Sequence, residues 1–181
     1  MLDDVGCCCA ANCKPNDTQL TTTHPAVPSG VVHHLARDER VASVTALTRR
    51  SRDDTTTLFD LSPAEAAKVK FAVVDYDALV ADAAGSSIDT FAGHDIGMSC
   101  LGLYTSDAKD EAHFRHVEIT TNVATATAMV AGGVDRFAYL SGMGAKKGGW
   151  MMFARVKADA EVRVCVTVQW LTPHCCCSWV H

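Results

Sequence analysis

"VKFAVVDYDALVADAAGSSIDTFAGHDIGMSCLG", residues 69–102, is the stretch on which the fold turns. It opens as a β-branched apolar run ending in the acids Asp75 and Asp77, passes through a short helical stretch, and closes on a second apolar run that stops at Gly102. Apolar runs of about four to eight residues separated by helical stretches mark parallel strands buried on both faces.

The same alternation extends both ways. Upstream, Val31, Val32 and Leu35 recur on a helical face, and "VASVTAL" (41–47) reads as a buried strand. Downstream, "DEAHFRHVEITTNVATATAMVAGG" (110–133) is a long helix with Phe114, Val117, Asn122, Ala124, Ala128 and Val130 near one face, stopped by Gly132 and Gly133. "VDRFAYLSG" (134–142) follows as a strand and "WMMFARVKADAEV" (150–162) as a helix. The expected fold class is α/β, a Rossmann-like parallel sheet with helices on both faces, and incomplete.

The two ends have a different texture. Residues 1–28, with Pro15, Pro25 and Pro28, read as a loosely ordered Cys/Thr/Pro-containing tail; 29–162 as the nucleotide-binding domain; and 163–181 as a divergent Cys-rich segment in which "VCVTVQW" (164–170) alternates like a strand. The abrupt change at both ends suggests a fragmentary or aberrantly spliced product. An open sheet lacking its first strand would expose apolar edges.

Composition excludes several classes of function. The 181 residues suffice for one domain, and a net charge of −5 with interspersed basic residues gives no footprint for nucleic acid or an anionic membrane surface. No apolar run reaches the roughly 18 residues of a membrane span, and no leader is evident, so a cytoplasmic location is expected, with the nucleus as the alternative. Eight of the nine cysteines lie near the ends, with triplets at 7–9 and 175–177 that cannot all form well-shaped disulfides, which fits a reducing compartment. A metal site from Cys7, Cys9, Cys13, His174, Cys175 and Cys177 lacks paired C-x-x-C spacing, and His33, His34, His113 and His116 lack a carboxylate partner. No metal is expected.

In open parallel sheets ligands bind beyond the carboxyl ends of the strands. There stand Arg49 and Arg50, where arginines would accept a 2′-phosphate; Asp75 with Tyr76, where a carboxylate can accept from an adenine amino group; Gly102; and Ser141 with Gly142. Each has a bland reading too, as a solvated basic turn or a turn residue.

Together, "VTALTRRS", "VVDYDAL", "FAGHDIGMSCLG", "FRHVE", "MVAGGVDRFAYLSGMGAKK" and "FARVKADAE" resemble the Tat-interacting-protein-like oxidoreductases, an atypical branch of the short-chain dehydrogenases with an NAD(P)-binding Rossmann fold. The match runs in order from about Val31 to Val162. The resemblance implies NADP (NADPH) as cofactor, with Arg49, Arg50, Asp75, Leu101, Gly102 and Lys157 as its contacts, and a small carbonyl compound as substrate. It implies catalysis by Ser141 on the substrate carbonyl and Lys157 on the nicotinamide ribose, with a tyrosine that exchanges the proton.

Phe153 stands at the place of that tyrosine and can neither donate nor accept a proton. Tyr139 and Tyr104 would need a different geometry to replace it. A glycine-rich pyrophosphate turn is also missing, since the first forty residues hold only Gly6 and Gly30, and the family's later proline-glycine segment is not found. The expectation is therefore an NADP-preferring oxidoreductase impaired in catalysis. The alternative is a non-catalytic regulatory or scaffold protein that retains the fold.

Overall fold

The computed structural model describes residues 8–11, 27–52, 54–85, 88–171 and 178–180. Six strands form one sheet in the order β3-β2-β1-β4-β5-β6, comprising β1 (Cys8–Ala11), β2 (Val44–Thr48), β3 (Val69–Val73), β4 (Ile96–Ser99), β5 (Arg136–Leu140) and β6 (Ser178–Val180). The pairs β2–β3, β4–β5 and β5–β6 are parallel. This is the strand order of a doubly wound nucleotide fold.

Alternation along each strand divides the core between two faces. Val44 and Ala46 of β2, with Ile96 and Met98 of β4, pack under α1 (Val27–Arg37), α2 (Thr55–Phe59) and α3 (Pro63–Ala66). Leu47 of β2 and Phe137 and Tyr139 of β5 join the opposite core with α4 (Tyr76–Ala81), α5 (Ile88–Phe91), α6 (Glu111–Arg115), α7 (Asn122–Ala131) and α8 (Met152–Leu171). Each large apolar side chain buried this way contributes about 1.5–3 kcal/mol. Local signals agree: Ser62 and Glu65 form a reciprocal capping box at α3, and Asp54 caps α2.

Three expectations are corrected. Within the reading of 1–28 as a loose tail, residues 8–11 form a strand at the centre of the sheet, and it is antiparallel to both neighbours, so the sheet is mixed. A hydropathy pattern carries no strand direction, and four residues are too few to show a period. The strand expected at 164–170 is helical instead, because α8 continues unbroken from Met152 to Leu171. Val164 and Val168, four apart, are both buried in the core, so the apolar residues serve a helical face although their alternation also fits a strand. Finally, the long helix expected at 110–133 is interrupted: the backbone widens to a π-helical turn over His116–Thr121 between α6 and α7.

His94 ties the lower edge together, its Nε2 3.2 Å from the Thr45 hydroxyl and its Nδ1 2.9 Å from the Phe91 carbonyl. Burial holds its pKa below the ordinary 6.5. Below pH 6.5 the unfolded chain takes up a proton that the folded one resists, so stability falls as pH drops from 6.5 toward the lower folded value. Melting curves at about pH 7.5 and 5.5 should show this loss, and His94→Gln should reduce it. An unchanged pH slope in the variant would remove His94 as the cause.

Candidate functional site

Parallel strands align their carboxyl ends, so the expected residues gather at one edge in two groups. Thr48 and Val73 are register partners, which brings Arg49 and Arg50 beside Asp75 and Tyr76. The Thr48 hydroxyl donates to the Arg50 carbonyl at 2.7 Å and shapes the turn, and the Arg49 guanidinium lies 5.7 Å from the Tyr76 ring centroid. Asp75 caps α4, its Oδ1 accepting from the amides of Asp77 at 2.9 Å and Ala78 at 3.1 Å. The carboxylate therefore has a structural task whatever else it binds.

The second group lies above β4 and β5. Ser99 and Tyr139 are register partners, so the segment Cys100 to Leu103 runs beside Ser141 and Gly142. Leu101 is buried in the core. On α8, Phe153, Lys157 and Glu161 are spaced by four and share one face. The Phe153 ring packs on Gly142, where a Cβ would collide with its tip. The Ser141 hydroxyl donates to Glu161 Oε1 at 2.5 Å.

Lys157 is buried, and its Nζ lies 2.6 Å from Oε2 of the fully buried Glu118. The other oxygen of Glu118 accepts from the Leu103 amide at 2.8 Å. A Cβ on Gly102 would come within 3.3 Å of Glu118 Oε1 and 3.6 Å of Lys157 Nζ, so the turn lies directly on the ion pair. Lys157 Nζ also stands 5.7 Å from the Tyr139 ring centroid.

Glu118 sits in the π-helical turn, and Asn122 follows it. The Asn122 side chain accepts from the Ser99 hydroxyl and donates to the carbonyls of Glu118 at 3.0 Å, Val117 at 3.3 Å and Leu101 at 3.4 Å. Helical periodicity places Asn122 on the buried face but gives it no task, and it does not single out Glu118 or Glu161. The signals for both acids are present: one stands between Val117 and Ile119 within the helical run, the other one turn beyond the lysine. Of the two other tyrosines weighed for the role of the phenol missing at 153, Tyr139 is buried in the core and Tyr104 is exposed beyond Gly102.

A Rossmann pyrophosphate turn joins the carboxyl end of β1 to the first helix. Here Ala11, the carboxyl end of β1, pairs with Val44 and Ile96 at the amino ends of the neighbouring strands. That end of β1 therefore faces the edge opposite to the site, and a dinucleotide's pyrophosphate does not find its usual cradle there. Cys7, Cys13, His174 and Cys175 to Cys177 lie outside the described residues; among the described ones no group of three His, Cys, Asp or Glu is placed to hold a metal ion. Among the described residues, too, no helix is long and apolar enough to cross a membrane.

No family model matches the sequence. Solved structures do match. The Bordetella bronchiseptica enzyme WbmG in complex with NAD and UDP superposes with a TM-score of 0.54 at 14% identity, over 77% of this chain and 46% of that one. MoeE5 in complex with UDP-glucose and NAD gives 0.59 at 14%, over 83% and 50%. UDP-N-acetylglucosamine 4-epimerase from Bacillus cereus gives 0.52 at 14%, over 76% and 45%. The fold is Rossmann-like. The chain spans about half the length of these Rossmann-like structures. At such identities the likeness speaks for the fold alone.

Proposed function

We propose that the chain is a nucleotide-binding relative of the NADP-linked short-chain dehydrogenases, akin to the Tat-interacting-protein-like oxidoreductases, and that tyrosine-dependent hydride chemistry is impaired in it. The observation that carries the second half is the buried Lys157–Glu118 pair at 2.6 Å. A lysine that assists such chemistry must present its charge to a ribose and to a phenol. This one is committed to a carboxylate, and Phe153 has no hydroxyl to activate.

The nucleotide half rests on the first group of residues. Arg49 and Arg50 supply donors suited to a 2′-phosphate, and Asp75 with Tyr76 adjoins them. WbmG is in complex with NAD and UDP and MoeE5 with UDP-glucose and NAD. A nicotinamide dinucleotide would supply the hydride in an intact relative. The direction of β1 does not fit its pyrophosphate, so neither Ser141 nor Lys157 is assigned a transfer step on a carbonyl substrate.

Calorimetric titration with NADP, NAD and 2′,5′-ADP tests the reading. The two 2′-phosphorylated ligands should bind at least about tenfold more tightly than NAD, a difference of roughly 1.4 kcal/mol, and Arg49→Ala with Arg50→Ala should erase the preference. Equal affinity for NAD and NADP would overturn the arginine assignment. No binding at all would favour the scaffold alternative, and NADPH-dependent reduction of any member of a carbonyl panel by the unmodified chain would overturn the impairment.

A further inference from the structure

The loop between β5 and α8, residues 141–151, is built to hold apolar side chains outward. Gly144 and Gly148 turn it in the left-handed region, at φ 86° and 73°. Backbone bonds from Ala145 to Gly142, from Lys146 to Ala154 and from Gly149 to Lys146 fold it onto the start of α8. The Arg155 guanidinium then donates to the carbonyls of Gly149 at 3.2 Å and Trp150 at 2.8 Å, and an ion pair with Glu111 at 3.6 Å steadies it. On this frame Trp150 is 89% exposed, Met143 87% and Met151 47%. Tyr104, 61% exposed, leaves the same edge of the sheet from the neighbouring β4.

Charge accompanies the apolar tips. Lys146 and Lys147 lie at the exposed crown of the loop, and no acidic residue occurs between Ser141 and Phe153, in a chain whose net charge is −5. A Trp and methionines beside two ammonium groups match a boundary that is apolar below and anionic above. We propose that this loop is a membrane-surface anchor that seats Trp150, Met143 and Met151 among the headgroups of an anionic bilayer, with Lys146 and Lys147 against the lipid charge. The anchor is peripheral and does not depend on nucleotide binding.

The whole chain is mixed with sedimenting vesicles of phosphatidylcholine alone and of phosphatidylcholine with about three parts in ten phosphatidylserine. Co-sedimentation with the anionic vesicles should exceed that with neutral ones about tenfold, fall off with salt, and drop about tenfold in Trp150→Ala and in Lys146→Glu with Lys147→Glu. Brominated lipid should quench the fluorescence of the unmodified chain more than that of Trp150→Phe. Circular dichroism of each variant establishes that the fold is kept; the three positions changed, 146, 147 and 150, are all exposed. Equal binding to neutral vesicles, binding unchanged by the variants, or no binding to either vesicle would overturn the proposal. So would self-association that Trp150→Ala abolishes in the absence of any vesicle binding, which would assign the loop to a second copy of this chain.

Discussion

Glu118→Ala is expected to lower the free energy of unfolding by about 3–5 kcal/mol, read from urea or guanidinium curves, because it leaves the Lys157 ammonium buried without its carboxylate and the Leu103 amide without its acceptor. Lys157→Met should be costly for the reciprocal reason. The decisive measurement is the double variant Glu118→Leu, Lys157→Met, in which no charge is left behind; it should recover most of what either single change loses, since an apolar pair of similar volume commonly matches a buried ion pair. Additive losses in the double variant would mean that the two side chains contribute through separate contacts. The pair would then no longer explain why Lys157 is withheld from the site.

Asn122→Ala is expected to cost about 3 kcal/mol. It removes an acceptor from the Ser99 hydroxyl and a donor from three carbonyls, and buried polar groups left unsatisfied cost about 1–3 kcal/mol each. Those bonds fasten the π-helical turn to the end of β4, so the damage should spread to Glu118. Hydrogen exchange of the Leu103 amide, whose bond Glu118 accepts, reads this directly: exchange should accelerate in Asn122→Ala well before global unfolding. Protection of Leu103 at its normal level would show that the carboxylate is held in place without Asn122.

The sheet was legible where pattern and direction coincide. Parallel strands reached through helical crossovers announce themselves by apolar runs and stop residues, and β2, β3, β4 and β5 all lie where those runs predict them. The C-terminal half of α8 was not legible, because "VCVTVQW" satisfies both a period of two and a buried helical face, and only the packing of Val164 and Val168 decides between them. The orientation of β1 was hidden for a different reason: strand direction is fixed by what lies on either side, which no local stretch encodes. At the site, positions were readable and partnerships were not. Arg49, Asp75, Gly102 and Ser141 follow strands and Lys157 lies on α8, yet the bond from Lys157 to Glu118 spans elements far apart in the chain and leaves no mark in the spacing.

Whole-chain charge is a poor guide in one respect. A net −5 hides a segment whose only charges are two lysines, and electrostatic attraction acts over about a Debye length of 8–10 Å rather than over the molecule. Local charge density is the quantity that a bilayer senses.

The reversed β1 joins two sets of parallel strands. On one face Val44 and Ala46 of β2 and Ile96 and Met98 of β4 pack with α1 to α3, and on the other Leu47 of β2 and Phe137 and Tyr139 of β5 pack with α4 to α8, so both cores cross β1. The four residues of β1 must meet Thr45 and Ala46 of β2 on one side and Gly97 and Met98 of β4 on the other. Such non-local pairings come late in folding because their loop closure is costly. The middle strand of the sheet is therefore expected to be laid in last, between two parallel strand pairs that already share the cores on both faces.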